Sequence, residues 1–221
     1  EYVLELKGIT KIFPGVKALN NVQFQLKPGE VHALMGENGA GKSTFIKVIT
    51  GVHKAEEGEM YLFGEKVDFK GPKDAQAAGI AAVYQHPTSY PHLSVAENIF
   101  MGEEPTKKGV KLVDWKGLFT ACDKKLDELR IDLPSKTKAS NLNVSDQQMM
   151  VIARVLSKNA EIIIMDEALS ALDPLIRREM QNEIRALQKK LGKTVIFITH
   201  DLDEAIRLAD RVLIMKDGEI A

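Results

Sequence analysis

The amino-acid sequence predicts an α/β fold: a mostly parallel sheet with an N-terminal antiparallel β part and an inserted helical subdomain. Three observations carry this. Short apolar strands alternate with helical stretches, the pattern of a parallel sheet. Glu161-Ile162-Ile163-Ile164-Met165-Asp166 is too uniformly apolar for a sheet with one wet face, so it reads as a strand covered on both sides. Between about residues 90 and 158 the spacing is helical, which interrupts the alternation.

Taken in order, Tyr2 to Leu6 is a short strand, and Val22-Gln23-Phe24-Gln25-Leu26 alternates as a half-buried strand should. Lys27-Pro28-Gly29-Glu30 is a turn, and Val31 to Met35 is a strand feeding a glycine loop. A helix begins at about Lys42 and buries Phe45, Ile46, Val48 and Ile49. Residues 59–70 form another antiparallel piece, and Ile80 to Tyr84 is a buried strand ending at Gln85. Ser94-Val95-Ala96-Glu97 is a capping box, and residues 115–130 and 146–157 continue the helical spacing. Asp173-Pro174 gives an N-cap with proline at the first helical position. Ile176, Met180, Ile184, Leu187 and Leu191 make one apolar stripe before Gly192 ends that helix. Thr194 to Thr199 and Arg211 to Met215 are the last strands. The expected organisation is one domain over 1–221, with a core of 1–89 and 159–221 and a helical subdomain of 90–158.

Composition narrows the function classes. The 221 residues carry 44% hydrophobic and 28% charged side chains and a net charge of -1. That balance gives no general affinity for nucleic acid or an anionic membrane. The one cysteine, Cys122, excludes an internal disulfide and fits a reducing compartment. No apolar stretch approaches the roughly 20 residues that span a bilayer, and no signal-type segment opens the chain. Any membrane role is expected through a partner.

Gly36-Glu37-Asn38-Gly39-Ala40-Gly41-Lys42-Ser43-Thr44 matches the glycine-rich phosphate loop G-x-x-x-x-G-K-[ST]. Its glycines let backbone N–H groups approach phosphates, Lys42 reaches the β- and γ-phosphates of ATP, and Ser43 can ligate Mg²⁺. The following helix adds its N-terminal dipole. Asp166, at the end of its apolar strand, can hold Mg²⁺ beside Ser43, and Glu167 can polarise an attacking water. Alone, that pair is more often a core strand with acids at its exposed end; the glycine loop reverses that preference. His200, after the strand ending at Thr199, can contact a γ-phosphate, although a solitary loop histidine is more often only solvated. Gln85 is a candidate ligand for Mg²⁺ or water, or an ordinary polar strand end.

These residues in this order resemble the nucleotide-binding domain of an ATP-binding-cassette (ABC) transporter, from Lys11-Ile12-Phe13-Pro14-Gly15 to Asp217-Gly218-Glu219. The resemblance implies a P-loop NTPase (RecA-like) core. It places Phe13 against adenine, Gln85 in the Q-loop, Ser170-Ala171-Leu172-Asp173 in the D-loop and His200 as the switch histidine. Leu142-Asn143-Val144-Ser145-Asp146 aligns with the signature segment, usually Leu-Ser-Gly-Gly-Gln. In the family that segment meets the γ-phosphate held by a second subunit, so Asn143, Ser145 and Asp146 are implied nucleotide contacts across a head-to-tail dimer. Asn143 and Asp146 depart from the usual residues. Asp146 favours its helix dipole but adds negative charge beside an anionic ligand, so weak pairing and slow hydrolysis are expected.

Residues 1 to about 160 are similar to sugar-type (ribose or galactose) importers, notably at Phe13 to Leu19 and Val95 to Gly102. Residues from about 167 to 221 are similar to glycine betaine/proline importers, at Ala168 to Arg177 and His200 to Ala205. The change implies either a chimera, natural or engineered, joined near Ile162 to Met165, or divergence within one lineage. The resemblance thus implies an ATP-hydrolysing importer subunit, cytoplasmic and held at the inner face of the membrane by transmembrane permease subunits. The implied cofactors are ATP and Mg²⁺, and the implied partner is a second ATP-binding domain. A nucleotide-binding module with little turnover and a soluble non-transport ABC ATPase are the alternatives. Balanced charge and compact length disfavour the latter.

Overall fold

The fold comes from a computed structural model that describes every residue except 85–88, 108, 111, 159, 168, 170, 171 and 221. In chain order the elements begin with β1 (Leu4–Phe13), β2 (Val16–Leu26), β3 (Val31–Met35), α1 (Lys42–Ile49), β4 (Glu57–Leu62), β5 (Glu65–Val67), α2 (Pro72–Ala77) and β6 (Ile80–Val83). The helices α3 (Val95–Ile99), α4 (Trp115–Leu129) and α5 (Val144–Ser157) follow. The rest are β7 (Ile162–Asp166), α6 (Pro174–Leu191), β8 (Thr194–Ile198), α7 (Leu202–Leu208), β9 (Arg211–Lys216) and β10 (Glu219–Ile220). The chain divides into two units: Glu1–Tyr84, Ala160–Glu167 and Gln181–Ala221 form one, Gln85–Asn159 and Ala168–Met180 the other.

The first unit holds two sheets. The antiparallel one has the order β2-β1-β4-β5. β1 and β2 run longer than the sequence pattern suggested, because Pro14-Gly15 turns Phe13 directly onto Val16 and pairing starts there. The second sheet has the order β10-β9-β3-β8-β7-β6, parallel from β9 to β6, with the short β10 antiparallel at its edge. β10 and α2, at 2 and 6 residues, are too short to show a periodicity in sequence. Every side chain of β8 is buried, as are the first four of β3 and of β7. Residues without a wet face are what a parallel sheet requires. Phe45 of α1 is fully buried and stands edge-on to Phe24 of β2 at 5.2 Å, which seats α1 against the antiparallel strands.

This order sets the C-terminal ends of β3, β8 and β7 side by side. Open α/β sheets bind ligands outside the carboxyl ends of their strands. The glycine loop leaves β3 there, Asp166 closes β7, and Thr199 and His200 follow β8.

In the second unit, Ser94 and Glu97 form the capping box: Ser94 Oγ accepts from the Glu97 amide at 3.2 Å, and Glu97 Oε2 accepts from the Ser94 amide at 2.8 Å. Asp114 caps α4 and Asn143 caps α5, which begins two residues earlier than its apolar spacing indicated. Leu118 and Cys122 of α4 and Ile152 and Ala153 of α5 are fully buried. Asn98 on α3 is buried and spends its amide on the preceding loop, accepting from Tyr90 N at 2.9 Å and donating to the carbonyls of Tyr90 and Ser94. Residues 168–180, ahead of and within the start of α6, also group with this unit. There Asp173 Oδ1 takes the amides of Leu175 and Ile176 at 3.0 and 3.1 Å, the expected cap of α6.

Candidate nucleotide site

The glycine loop is closed from behind by backbone. A methyl group on Gly36 would run into the Met215 carbonyl, and one on Gly41 into the Ala18 carbonyl. Both residues, and Gly39, also have φ between 85° and 158°, where a side chain is strained. No side chain caps α1 and no acid stands in its first turn. Its N-terminal dipole is therefore left for an anion to satisfy. Lys42 is buried and its Nζ donates to the carbonyls of Gly36 and Glu37 at 2.7 and 3.0 Å, bridging the loop. Asn38, Gly39 and Ser43 are exposed, Thr44 is half-buried and Ala40 is buried. A cleft of ≈ 630 Å³ opens along Gly36 to Ala40, walled by His200, Leu202, Val212 and Ile214. This is the size of a small-ligand or cofactor site; Lys216 and the acids Glu37 and Asp217 also line it, Lys42 does not, and it is the amides of the glycine loop that suit phosphate.

Beside the loop stand the acids. Burial raises the Asp166 carboxyl above the ordinary aspartate range, the Glu167 charge adds to the shift, and Lys42 and Lys47 oppose it. A divalent cation would relieve that strain, and the hydroxyl of Ser43 with the Asp166 carboxylate is a hard-oxygen donor pair that suits Mg²⁺. Among the described residues no cluster of three or more His, Cys, Asp or Glu forms a cage. Mg²⁺ characteristically takes one or two protein ligands and completes its shell from phosphates and water.

Glu167 has φ 46°, a left-handed backbone that glutamate seldom adopts. Its amide donates to Ile198 O of β8 at 3.1 Å. His200 Nδ1 lies 3.5 Å from Glu167 Oε1, and the imidazole side chain is 66% exposed while that of Glu167 is 16% exposed. A buried-facing carboxylate and an exposed imidazole are thus brought together at adjacent strand ends. This geometry can hold a water and a phosphate oxygen in one place.

Phe13 sits half-buried at the end of β1 in the same unit. His53 meets its ring edge-on at 5.3 Å, and Lys11 Nζ stands 5.3 Å from the ring centroid. Asn143, Ser145 and Asp146 belong to the second unit, at the start of α5, where Asn143 Oδ1 accepts from Asp146 N at 2.8 Å. Gln85, expected as a catalytic and metal-binding residue, lies outside the described residues, as do Ser170 and Ala171. Two features were invisible in the sequence: the Ala18 and Met215 carbonyls that wall the loop, and the left-handed Glu167. Neither has a signal in residue type.

A glycine loop opening a helix at the carboxyl edge of a parallel sheet, with an acid pair on a neighbouring strand, defines a P-loop nucleotide-binding domain. The family model described as "ABC transporter" matches residues 19–170. The xylose import ATP-binding protein XylG of Thermoanaerobacter pseudethanolicus is 45% identical over 221 residues, which cover 99% of this chain and 43% of that protein. The chain therefore spans less than half the length of that relative. The ADP conformation of MJ1267, an ATP-binding cassette of an ABC transporter, superposes with a TM-score of 0.87 at 30% identity, covering 100% of this chain and 90% of that one. A dimeric post-hydrolysis state of the cassette MJ0796 bound to ADP and Pi gives 0.79 at 28% identity, covering 98% and 96%. The chain belongs to the ABC transporter family, and its likeness to a sugar-import protein runs through residues 167–221 as well as the first 160.

Proposed function

We propose that the chain binds and hydrolyses ATP as the motor domain of a sugar importer, pairing head to tail with a second such domain and driving transmembrane permease partners from the cytoplasmic face. The observation that carries this is the placing of Glu167 and His200 at strand ends beside the Gly36–Thr44 loop. Bound MgATP supplies the phosphoryl group and spreads its charge, with Ser43, Asp166 and Gln85 as the magnesium-side residues and Phe13 on the adenine side. The loop amides and Lys42 hold the phosphates in place and favour negative charge developing there. Glu167 orients the attacking water and accepts its proton, and His200 holds the γ-phosphate side of the site. Asn143, Ser145 and Asp146 close the site of the opposite copy.

The name of the xylose import relative supports a sugar as cargo, and the dimeric MJ0796 cassette supports the pairing. Asp146 at the first turn of α5 supports weak pairing and slow turnover, since it sets a carboxylate where an anion must dock. An exchange between lineages near Ile162 to Met165 rests only on the sequence of residues 168–177 and 200–205, and the likeness to the xylose import protein over the whole chain favours divergence within one lineage instead. Pairing of β7 with both neighbours, unbroken in register, is compatible with such a join.

ATP turnover by the parent chain, compared with Glu167→Gln, tests the reading. The substitution is expected to lower kcat by roughly a hundredfold or more while ATP still binds. Turnover that survives it removes Glu167 from the chemistry, and failure of the parent chain to bind ATP removes the whole assignment.

A further inference from the structure

The turn that presents His200 is held by three buried polar side chains that do not line the cleft. Thr199, Gln181 and Glu204 are 2%, 5% and 7% exposed. Thr199 Oγ1 donates to Glu204 Oε2 and accepts from the Asp201 amide at 3.0 Å. The other carboxylate oxygen of Glu204 accepts from Gln181 Nε2 of α6 at 2.9 Å. Asp201 Oδ1 takes the amides of Asp203 and Glu204 at 2.9 and 3.2 Å, and Thr199 N reaches Leu34 O of β3 at 3.3 Å. Both neighbours of His200 are therefore pinned through their own polar atoms, while the imidazole between them is exposed.

A buried carboxylate is costly, and an apolar side chain of the same volume often serves stability as well or better. Here both of its oxygens are committed to one threonine and one glutamine, so the group fixes geometry. We propose that Glu204 is a positioning residue for His200: through Thr199 it fixes the peptide that carries the histidine, and through Gln181 it anchors that peptide to α6. The inference rests on His200 acting in hydrolysis, as proposed above.

The test is steady-state ATP hydrolysis by the full chain carrying Thr199→Val, Thr199→Ser or Glu204→Gln, each alone and combined with His200→Ala. Thr199→Val and Glu204→Gln are expected to lower kcat on the order of ten- to a hundredfold, with KM within about twofold. Thr199→Ser restores the rate, and none of the three costs anything further once residue 200 is alanine. Equal losses with and without His200, or no rescue by serine, overturn the inference. A His200→Ala variant with parental kcat overturns the role of His200 in hydrolysis instead. Positioning also has a readout independent of turnover. The backbone NMR order parameter at His200 is expected near ~0.85 in the parent and below ~0.6 in Thr199→Val. An unchanged value overturns the inference even where hydrolysis is too slow to measure.

Discussion

At the scale of single residues, burial and charge decide what each group can do. Burial holds the His32 imidazole below its ordinary range; the hydrogen bond to Glu30 at 2.9 Å and the charges of Glu30 and Asp210 oppose this, and Arg211 adds to it. A base whose pKa is lowered by folding binds fewer protons folded than unfolded. Its contribution to stability is therefore present above about pH 6.5 and lost as pH falls through the lowered folded value. Denaturant midpoints measured between pH 7 and pH 5 should fall more for the parent chain than for His32→Gln. Equal slopes would mean that His32 does not titrate in that window. The paired acids Glu30 and Asp210 act lower: their pKa values are depressed, so their contribution is lost only as pH falls through the carboxylate range. Burial likewise raises the Cys122 thiol to about 12, so the only cysteine is a packing residue with almost no thiolate at neutral pH.

At the scale of elements, what can be read in the sequence divides by range. The capping box at Ser94, the Asp173 cap of α6 and the glycine loop before α1 are local patterns, and each forms from neighbours the sequence already juxtaposes. Asn98 carries no such mark, although its amide holds the loop from Tyr90 to Ser94 onto α3. The link from Gln181 to Glu204 to Thr199 spans two helices and a strand end, so residue types alone could not announce it. These two classes of element should differ in cost. Asp173→Ala gives up a cap, worth about 1 kcal/mol. Asn98→Ala takes the acceptor from the part-buried Tyr90 amide and removes a buried side chain that donates to the carbonyls of Tyr90 and Ser94, and should cost about 2–3 kcal/mol. Urea unfolding of the two variants would reverse this ranking if the Asn98 bonds were replaced by water.

At the scale of the whole molecule, the head-to-tail pairing proposed above has a second copy finishing the site, and in that pairing the charge at α5 opposes association. Asp146→Gln removes one negative charge from the segment meant to face phosphate. MgATP-dependent dimerisation, measured by sedimentation with Glu167→Gln to hold the nucleotide, should strengthen by roughly tenfold, since like charges at an interface weaken association. Equal association constants would place Asp146 away from the bound anion. The left-handed backbone of Glu167 has a consequence of a different kind. A glutamate at φ 46° carries roughly 1–2 kcal/mol of strain, which asparagine bears more easily in that region. A library screened only for survival on heating should therefore enrich Glu167→Asn; with Glu167 in the role proposed for it, the proteins recovered would be sturdier and silent, and sturdier proteins that still turn over ATP would take Glu167 out of that role.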